Sequence, residues 1–255
     1  MAVDTDAILV ADNITVRFDT AESALTAVDD ISFKVQPGEF LSLIGPSGCG
    51  KSTLFNVIGG LLTQHDGIVT VDGKTIAGPH RSIGMVFQEE STFPWRTVID
   101  NVRFPIEVFK GDLVAAERDA VKLLEMTGLL DFKHRLPEQL SGGMAQRVSL
   151  CRALITNPEL LLMDEPFSAL DAMTRDDMGL ELQRVWEQYR KTVIFVTHSI
   201  REAVFLSDRV IVLSPRPAVV VRDVRIELSR PRMLAMQETT EFNRHCAIIR
   251  ASLGR

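Results

Sequence analysis

One short segment constrains the fold of this 255-residue chain more than any other, namely Gly45-Pro46-Ser47-Gly48-Cys49-Gly50-Lys51-Ser52. It matches the phosphate-binding loop, or P-loop, whose glycines let backbone N–H groups approach phosphate oxygens closely. The apolar run 39–44 before it predicts a buried strand, and 53–58 after it predicts a helix whose N-terminus faces the anion. A glycine-rich surface turn is the alternative, but strand, loop, Lys-Ser and helix rarely coincide in this order.

The chemistry of the loop predicts nucleotide binding. Lys51 supplies a positive charge for the β- and γ-phosphates, and the Ser52 hydroxyl can reach a Mg²⁺ ion. The predicted nucleotide-binding residues of this segment are Gly45, Pro46, Ser47, Gly48, Cys49, Gly50, Lys51, Ser52 and Thr53. Because Cys49 lies inside the loop, we expect alkylation of its thiol to inactivate the protein and MgATP to protect it.

Composition limits the partners. Acidic residues outnumber basic ones, 34 to 28, and the net charge of −6 argues against nucleic acid, which requires a basic surface. No run approaches the ~18 apolar residues of a membrane span. The acidic N-terminus lacks the basic region of a signal peptide, so we expect a cytosolic protein or one docked on a membrane through a partner. The three scattered cysteines predict neither a metal site nor a disulfide framework.

A second group of residues follows the P-loop at the end of an apolar strand. Residues 160–163 are apolar and lead into Asp164 and Glu165. This is the Walker B pattern, in which the aspartate helps to hold Mg²⁺ at the carboxyl edge of a parallel sheet. Glu165 is then placed to orient or deprotonate an attacking water. In isolation, an Asp-Glu pair at a strand end would more often be a solvated turn.

Two further features gain meaning from their positions. Ser141 before Gly142 and Gly143 predicts a helix N-cap, which alone would be an ordinary cap. The apolar run 192–197 predicts another buried strand that ends at His198. A lone histidine is usually structural, but at this edge a neutral imidazole could contact the γ-phosphate and the attacking water.

Together these motifs resemble the ATPase subunits of ABC transporters. The resemblance spans about residues 8–230 and rests on the order of the P-loop, Gln88, Leu140-Ser141-Gly142-Gly143-Met144, Asp164-Glu165, Ser168-Ala169-Leu170-Asp171 and His198. Within the family the chain is most similar to nitrate, sulfonate and taurine importers. That finer likeness rests on residues 93–102, on Met144, and on Ser214-Pro215-Arg216-Pro217 followed by Leu228-Ser229-Arg230-Pro231-Arg232.

The resemblance implies further roles and partners. Phe18 would stack on adenine where tyrosine is commoner in the family, and Gln88 would complete the Mg²⁺ and water environment. Ser141, Gly142 and Gly143 would contact the γ-phosphate of ATP held by a second copy, in a head-to-tail dimer that encloses two nucleotides. Asp171 would communicate between the two sites. Met144 replaces the commoner glutamine, a change we expect the phosphate contacts to survive.

The implied fold is α/β, a P-loop core with an antiparallel β-subdomain and a helical signature subdomain. We predict one ABC ATPase domain over 1–255, with its core in 8–88 and 158–230, a helical subdomain at 89–157 and a helical tail at 231–255. Asp112 can cap a helix that runs to Met126.

An apolar cluster in a loop predicts the membrane partner. Phe93, Pro94 and Trp95 either pack in the helical subdomain or form a groove for a short cytoplasmic helix of an integral-membrane permease. Through the permease, a periplasmic or surface solute-binding protein would be an indirect partner, and the chain would lie on the cytoplasmic face of the cell membrane, in a bacterium the inner membrane.

Other functions stay open at this point. A soluble ABC-type ATPase acting on DNA or ribosomes would need a coiled-coil insertion, a second cassette or a basic surface, and none is evident. A regulatory subunit with negligible turnover is disfavoured by Glu165 and His198, and a phosphotransferase by the signature segment. Import, and the solute carried, rest on resemblance alone.

Overall fold

We analysed a computed structural model of the protein, in which residues 7–19, 24–88 and 91–254 are described. The acidic residues 1–6, on which the signal-peptide argument rests, lie outside these ranges, as do residues 89 and 90 of the predicted helical subdomain. No helix in the described part of the chain is long and apolar enough to cross a membrane.

The described strands form two sheets. In chain order they are β1 (Leu9–Asp19), β2 (Ala24–Val35), β3 (Phe40–Ile44), β4 (Asp66–Val71), β5 (Lys74–Thr75), β6 (Ile83–Val86), β7 (Leu160–Asp164), β8 (Thr192–Thr197), β9 (Arg209–Leu213) and β10 (Val220–Arg225). The first sheet is antiparallel, in the order β2-β1-β4-β5. The second has the order β10-β9-β3-β8-β7-β6, and all its pairs are parallel except that of β10 with β9.

The helices surround the parallel sheet. They are α1 (Lys51–Ile58), α2 (Val98–Val108), α3 (Leu113–Met126), α4 (Gly142–Leu154), α5 (Ala172–Tyr189), α6 (Ile200–Leu206) and α7 (Thr240–Ser252), with short 3₁₀ turns at Leu130–Phe132, Pro137–Gln139 and Leu234–Glu238. Asp112 caps α3 as predicted, because its carboxylate accepts the N–H groups of Val114 and Ala115. The tail differs slightly from one continuous helix, since Thr239 starts α7 after the last 3₁₀ turn.

The strands of the parallel sheet are apolar without alternation because both faces are covered. On β3, Phe40 and Ile44 belong to one apolar cluster, whereas Leu41 and Leu43 belong to the other. Successive side chains of a strand point to opposite faces, so each strand must supply apolar residues to both. This explains why residues 160–163 and 193–196 are uninterrupted apolar runs in the sequence, and why only Ser42 interrupts the run 40–44.

Parallel pairing brings the predicted functional segments to one edge of the sheet. Ile44, which precedes the P-loop, pairs with Thr197, which precedes His198. Asp164 pairs with Val196 on the other side of β8. The carboxyl ends of neighbouring parallel strands therefore deliver the loop, the acidic pair and the histidine to one crevice, where open α/β sheets bind ligands.

Two arginines of the tail motif fasten the C-terminal segment to the core. Arg232 is only 3% exposed and donates to the carbonyl oxygens of Val204, Phe205 and Ser207 at 2.8–3.1 Å, which satisfies the C-terminal end of α6. Arg230 donates to the Asp208 carboxylate at 2.8 Å. The motif Leu228-Ser229-Arg230-Pro231-Arg232 therefore has a structural role, because its two arginines anchor the C-terminal segment to Asp208 and to the end of α6.

The division into a core, a helical subdomain and a tail stays a prediction. In the structure α2 and α3 contact each other, and both contact α4. These three helices all lie between Val98 and Leu154. At the edge of the second sheet, β10 pairs with β9 just before the tail.

Candidate functional site

The P-loop connects β3 to α1, and the side chain of its own lysine stabilises it through hydrogen bonds. Lys51 is 5% exposed, and its Nζ donates to the carbonyl oxygens of Gly45 and Pro46 at 3.0 Å each. Gly48 and Gly50 have φ values of +71° and +126°. These are conformations that residues with a Cβ rarely adopt, so glycine follows this backbone path at the lowest cost.

Gly50 also has no room for a side chain. A Cβ at this position would lie 2.6 Å from the carbonyl oxygen of Ala27 on β2 and 3.3 Å from the Cβ of Ala218. The loop is therefore packed between the antiparallel sheet and the segment after β9. This contact fixes the start of α1, whose N-terminus carries the partial positive charge that favours phosphate.

Cys49 does not present its thiol in the way the alkylation prediction assumes. Its side chain is 1% exposed, and its sulfur lies 2.8 Å from where a Cβ on Gly45 would stand. A reagent therefore reaches the sulfur only if the loop opens. What Cys49 can offer a phosphate is its backbone N–H, which here lies 3.3 Å from the carbonyl oxygen of Pro46.

Asp164 has the environment expected of a ligand to a divalent cation. It is 8% exposed, and its Oδ1 has no hydrogen-bond partner among the described residues. Burial raises the pKa of Asp164, while a hydrogen bond with the Ser52 side chain and the charge of Lys51 oppose that rise. A buried carboxylate oxygen without a partner beside a hydroxyl fits Mg²⁺, which takes few protein ligands in addition to phosphates and water.

Glu165 links the lysine of the P-loop to His198. One carboxylate oxygen, Oε2, lies 2.7 Å from the Nδ1 of His198, and the other, Oε1, lies 3.7 Å from the Nζ of Lys51. The backbone φ of Glu165 is +43°, an unusual value for a residue with a side chain. This left-handed conformation follows the end of β7. It lets the side chains of Asp164 and Glu165, which are adjacent in sequence, both face the same crevice.

A short network positions the segment around His198. The Thr197 hydroxyl donates to the Glu202 carboxylate at 2.5 Å and accepts the Ser199 N–H at 3.0 Å. The Nε of Arg175 lies 3.6 Å from the other oxygen of Glu202. Burial raises the pKa of Glu202, and the Thr197 hydroxyl and Arg175 act against that rise. The Glu202 carboxylate therefore holds Thr197, and the Thr197 hydroxyl in turn holds Ser199 on the other side of His198.

The signature segment lies apart from the P-loop within a single chain. Ser141 caps α4, where its hydroxyl accepts the Met144 N–H at 3.3 Å, and no hydrogen bond joins Ser141 to the P-loop among the described residues. Gly142 is exposed, while Gly143 packs so closely against Thr174 that a Cβ would lie 2.7 Å from that side chain. Asp171 caps α5 and is bonded to the Thr174 hydroxyl at 2.6 Å.

The two remaining predicted residues lie at the borders of the crevice. Phe18 is 39% exposed near the end of β1 and pairs with Leu25, close to the point where β2 passes Gly50. Gln88 is exposed two residues after the end of β6. The described side-chain contacts of Phe18 and Gln88 do not show whether either residue binds a nucleotide, so both roles stay predictions.

Comparison with known proteins identifies the family. Residues 28–168, more than half of the chain, match the family described as ABC transporter. The chain belongs to this family. A taurine import ATP-binding protein of Jannaschia is 42% identical over 216 residues, which are 84% of this chain and 80% of that protein. A nitrate import ATP-binding protein of Synechococcus elongatus is 42% identical over 218 residues, 84% of this chain and 80% of that protein.

Solved structures agree on the fold. A dimeric ATP-binding cassette in a post-hydrolysis state, bound to ADP and phosphate, superposes with a TM-score of 0.76 and 32% identity, over 87% of this chain and all of that one. The predicted α/β architecture of an ABC ATPase is therefore confirmed, and the protein is an ATP-binding ATPase subunit of the ABC type.

Sequence reasoning about this ABC ATPase missed one residue that shapes the loop before α2. Asn101 is fully buried, accepts the Phe93 N–H at 2.7 Å and donates to the carbonyl oxygens of Phe93, Arg96 and Thr97. The sequence gives no clear signal for this role, because Asn101 lies among other polar residues of α2 such as Asp100 and Arg103. Glu202, placed one helical turn beyond His198, was missed as well, because its partner Thr197 lies in a different element.

Proposed function

We propose that this chain is the ATP-hydrolysing subunit of an importer for a small anion or small organic solute. The observation that carries hydrolysis is the placement of Glu165 between Lys51 and His198, next to Asp164. Import is supported by the relatives, two of which are named for taurine and nitrate import. The solute class of this chain rests on that likeness.

In the proposed mechanism the site residues act on a bound ATP. Lys51 and the loop N–H groups neutralise phosphate charge, and Ser52, Asp164 and Gln88 would hold Mg²⁺. When bound, the ion would offset the charge that develops on the phosphate oxygens. Glu165 accepts a proton from the attacking water or orients it, and His198, hydrogen-bonded to Glu165, keeps that carboxylate in place.

The second half of each nucleotide site comes from a second copy. The exposed N-terminus of α4, with Ser141, Gly142 and Gly143, would face the γ-phosphate held by the partner's P-loop. Asp171 starts α5 beside it and would carry the signal between the two sites. The dimeric state of the similar cassette supports assembly of two copies, and the head-to-tail orientation is part of the proposal.

The experiment that tests hydrolysis compares two substitutions of the same chemical type. Glu165→Gln keeps the size of the side chain and removes its basicity, so we expect MgATP binding with turnover reduced by about 10²–10⁴-fold. The variant should accumulate as an ATP-dependent dimer, measured by light scattering. Glu125→Gln on the exposed face of α3 is the control, and turnover of Glu165→Gln at the control's rate would refute the assignment.

An apolar groove supports docking to a membrane permease. A cavity of about 530 Å³ lies between α2, β6 and α4, and its lining includes Phe87, Phe93, Phe104 and Phe109. Phe93 packs against Phe104 with ring centroids 4.6 Å apart, while the neighbouring Trp95 is 73% exposed. This exposure supports docking over core packing for Trp95. A short apolar helix of a permease at the cytoplasmic face of the membrane is the proposed occupant.

The docking proposal predicts separation of two activities. Trp95→Ala should leave MgATP binding of the isolated chain unchanged, because the side chain is exposed and packs on Phe93 and not on the P-loop. In vesicles that contain the permease, the same variant should lose solute-coupled turnover. Ile68→Ala, which removes another exposed apolar side chain from the antiparallel sheet, is the control. Full coupling by Trp95→Ala would refute the docking role of Trp95, whereas the absence of solute-coupled turnover in the wild type would favour the alternative of an ATPase that is not coupled to transport.

A further inference from the structure

The motif Ser214-Pro215-Arg216-Pro217, which the proposed mechanism does not use, lies against the P-loop. Arg216 donates to the carbonyl oxygen of Gly48 from Nε at 3.1 Å and from Nη2 at 2.7 Å. The two residues are separated by 168 positions in the chain. A guanidinium group that donates twice to one acceptor fixes both the distance and the direction of that acceptor.

The segment that carries Arg216 is itself well anchored. The Ser214 hydroxyl contacts the carbonyl oxygens of Pro215 and Pro217 at 2.7 and 2.8 Å and accepts the Val219 N–H at 3.0 Å. The buried Ala218 donates to Ala27 of β2 and accepts from Asp29, at 3.0 and 2.9 Å. Backbone bonds on both sides therefore hold the segment 214–219 independently of the Arg216 side chain.

The bond to Gly48 determines how the loop presents its backbone. In a trans peptide the C=O and N–H groups point in opposite directions. Because Arg216 holds the Gly48 oxygen on one side, the Cys49 N–H points to the other, where it donates to the Pro46 carbonyl oxygen at 3.3 Å and closes the turn of the loop. Gly48 has a φ of +71° and no side chain. Its peptide plane can therefore rotate more freely than that of other residues unless another group holds it.

We propose that Arg216 is a positioning residue of the nucleotide site, which sets the Gly48–Cys49 peptide so that the loop N–H groups are ready to bind phosphate. This inference rests on nucleotide binding at the P-loop and adds a residue that belongs to none of its motifs. Arg216 acts through the backbone of Gly48, and its exposed side chain places a positive charge beside the loop. Preorganised donors bind without first losing conformational entropy.

The test measures binding and local order in the same variants. Arg216→Ala should raise the Kd for MgADP, measured by calorimetry, by about tenfold, the equivalent of about 1.4 kcal/mol. Arg216→Lys keeps the charge but not the paired donors, so we expect only partial recovery. Arg222→Ala on β10, which removes an exposed arginine from the same region, should bind like the wild type. All variants should unfold at the wild-type temperature, because Arg216 is exposed and its segment keeps its backbone bonds.

Hydrogen exchange without nucleotide gives the second measurement. Amides of residues 45–52 should exchange faster in Arg216→Ala than in the wild type and in Arg222→Ala, while α3 stays unchanged. Equal exchange and an equal Kd would overturn the inference. Full recovery by Arg216→Lys would also overturn it, because charge alone would then explain the effect. If the wild type fails to bind MgADP, the proposed function fails, and the exchange result still decides the role of Arg216.

Discussion

The contact between Gly50 and β2 predicts a large and specific effect of one added methyl group. In Gly50→Ala, the new Cβ would lie 2.6 Å from the Ala27 oxygen, and the backbone would keep a φ of +126°. A residue with a side chain in such a sparsely populated conformation costs about 1–3 kcal/mol. Relief of the overlap requires β2 or the loop to move, so we expect a total loss of about 2–4 kcal/mol in unfolding free energy.

Two other glycines separate these contributions. Gly73 has a φ of +69° and nothing within 4 Å of an added Cβ, so Gly73→Ala isolates the backbone cost of about 1–2 kcal/mol. Gly78 has neither a positive φ nor a close neighbour, and Gly78→Ala should be within about 0.5 kcal/mol of the wild type.

Urea unfolding and MgATP binding by the three variants check this reasoning. Gly50→Ala should be the least stable of the three. It should also bind MgATP at least about tenfold more weakly, because the N–H groups of the displaced loop no longer converge on the phosphate oxygens. Gly73→Ala and Gly78→Ala should bind normally. If Gly50→Ala unfolds like Gly78→Ala and binds MgATP with wild-type affinity, the contact with β2 does not constrain the loop.

Two further predictions concern buried groups. Arg232→Met should lower the unfolding free energy by about 2–4 kcal/mol, because it leaves the carbonyl oxygens at the end of α6 without a donor. The control Arg244→Met, on the exposed face of α7, should leave the unfolding free energy unchanged. Equal urea midpoints for the two variants would contradict this. All three cysteines are buried, so the thiols of the native protein should react with a disulfide reagent far more slowly than in urea. Burial also raises the pKa of Cys151 to about 12, so this thiol should stay protonated even at mildly alkaline pH. A native thiol that reacts at the urea rate would refute the placement of that cysteine.

The sequence predicts those parts of the site that depend on local order. The P-loop, the acidic pair and His198 each follow an apolar strand, and parallel pairing then brings the strand ends together. Motif order and spacing were therefore enough for the fold, which the comparisons confirm. The roles assigned to individual site residues remain predictions.

Contacts between distant segments could not be predicted in this way. Arg216 reaches Gly48 across 168 residues, and Thr197 meets Glu202 through the geometry of a strand end and a helix. Neither contact leaves a periodic pattern in the sequence. The burial of the Cys49 thiol could not be predicted for a related reason, because side-chain direction in a loop with left-handed residues does not follow strand or helix periodicity.

The left-handed backbone at Glu165 has a consequence for the choice of amino acid at that position. If conformational preference alone decided, glycine or asparagine would occupy a φ of +43°, because both adopt it more easily than glutamate. The glutamate therefore occupies this position against the local conformational preference of the chain. A selection for thermostability without a demand for turnover should replace it first, so folding and activity oppose each other at residue 165.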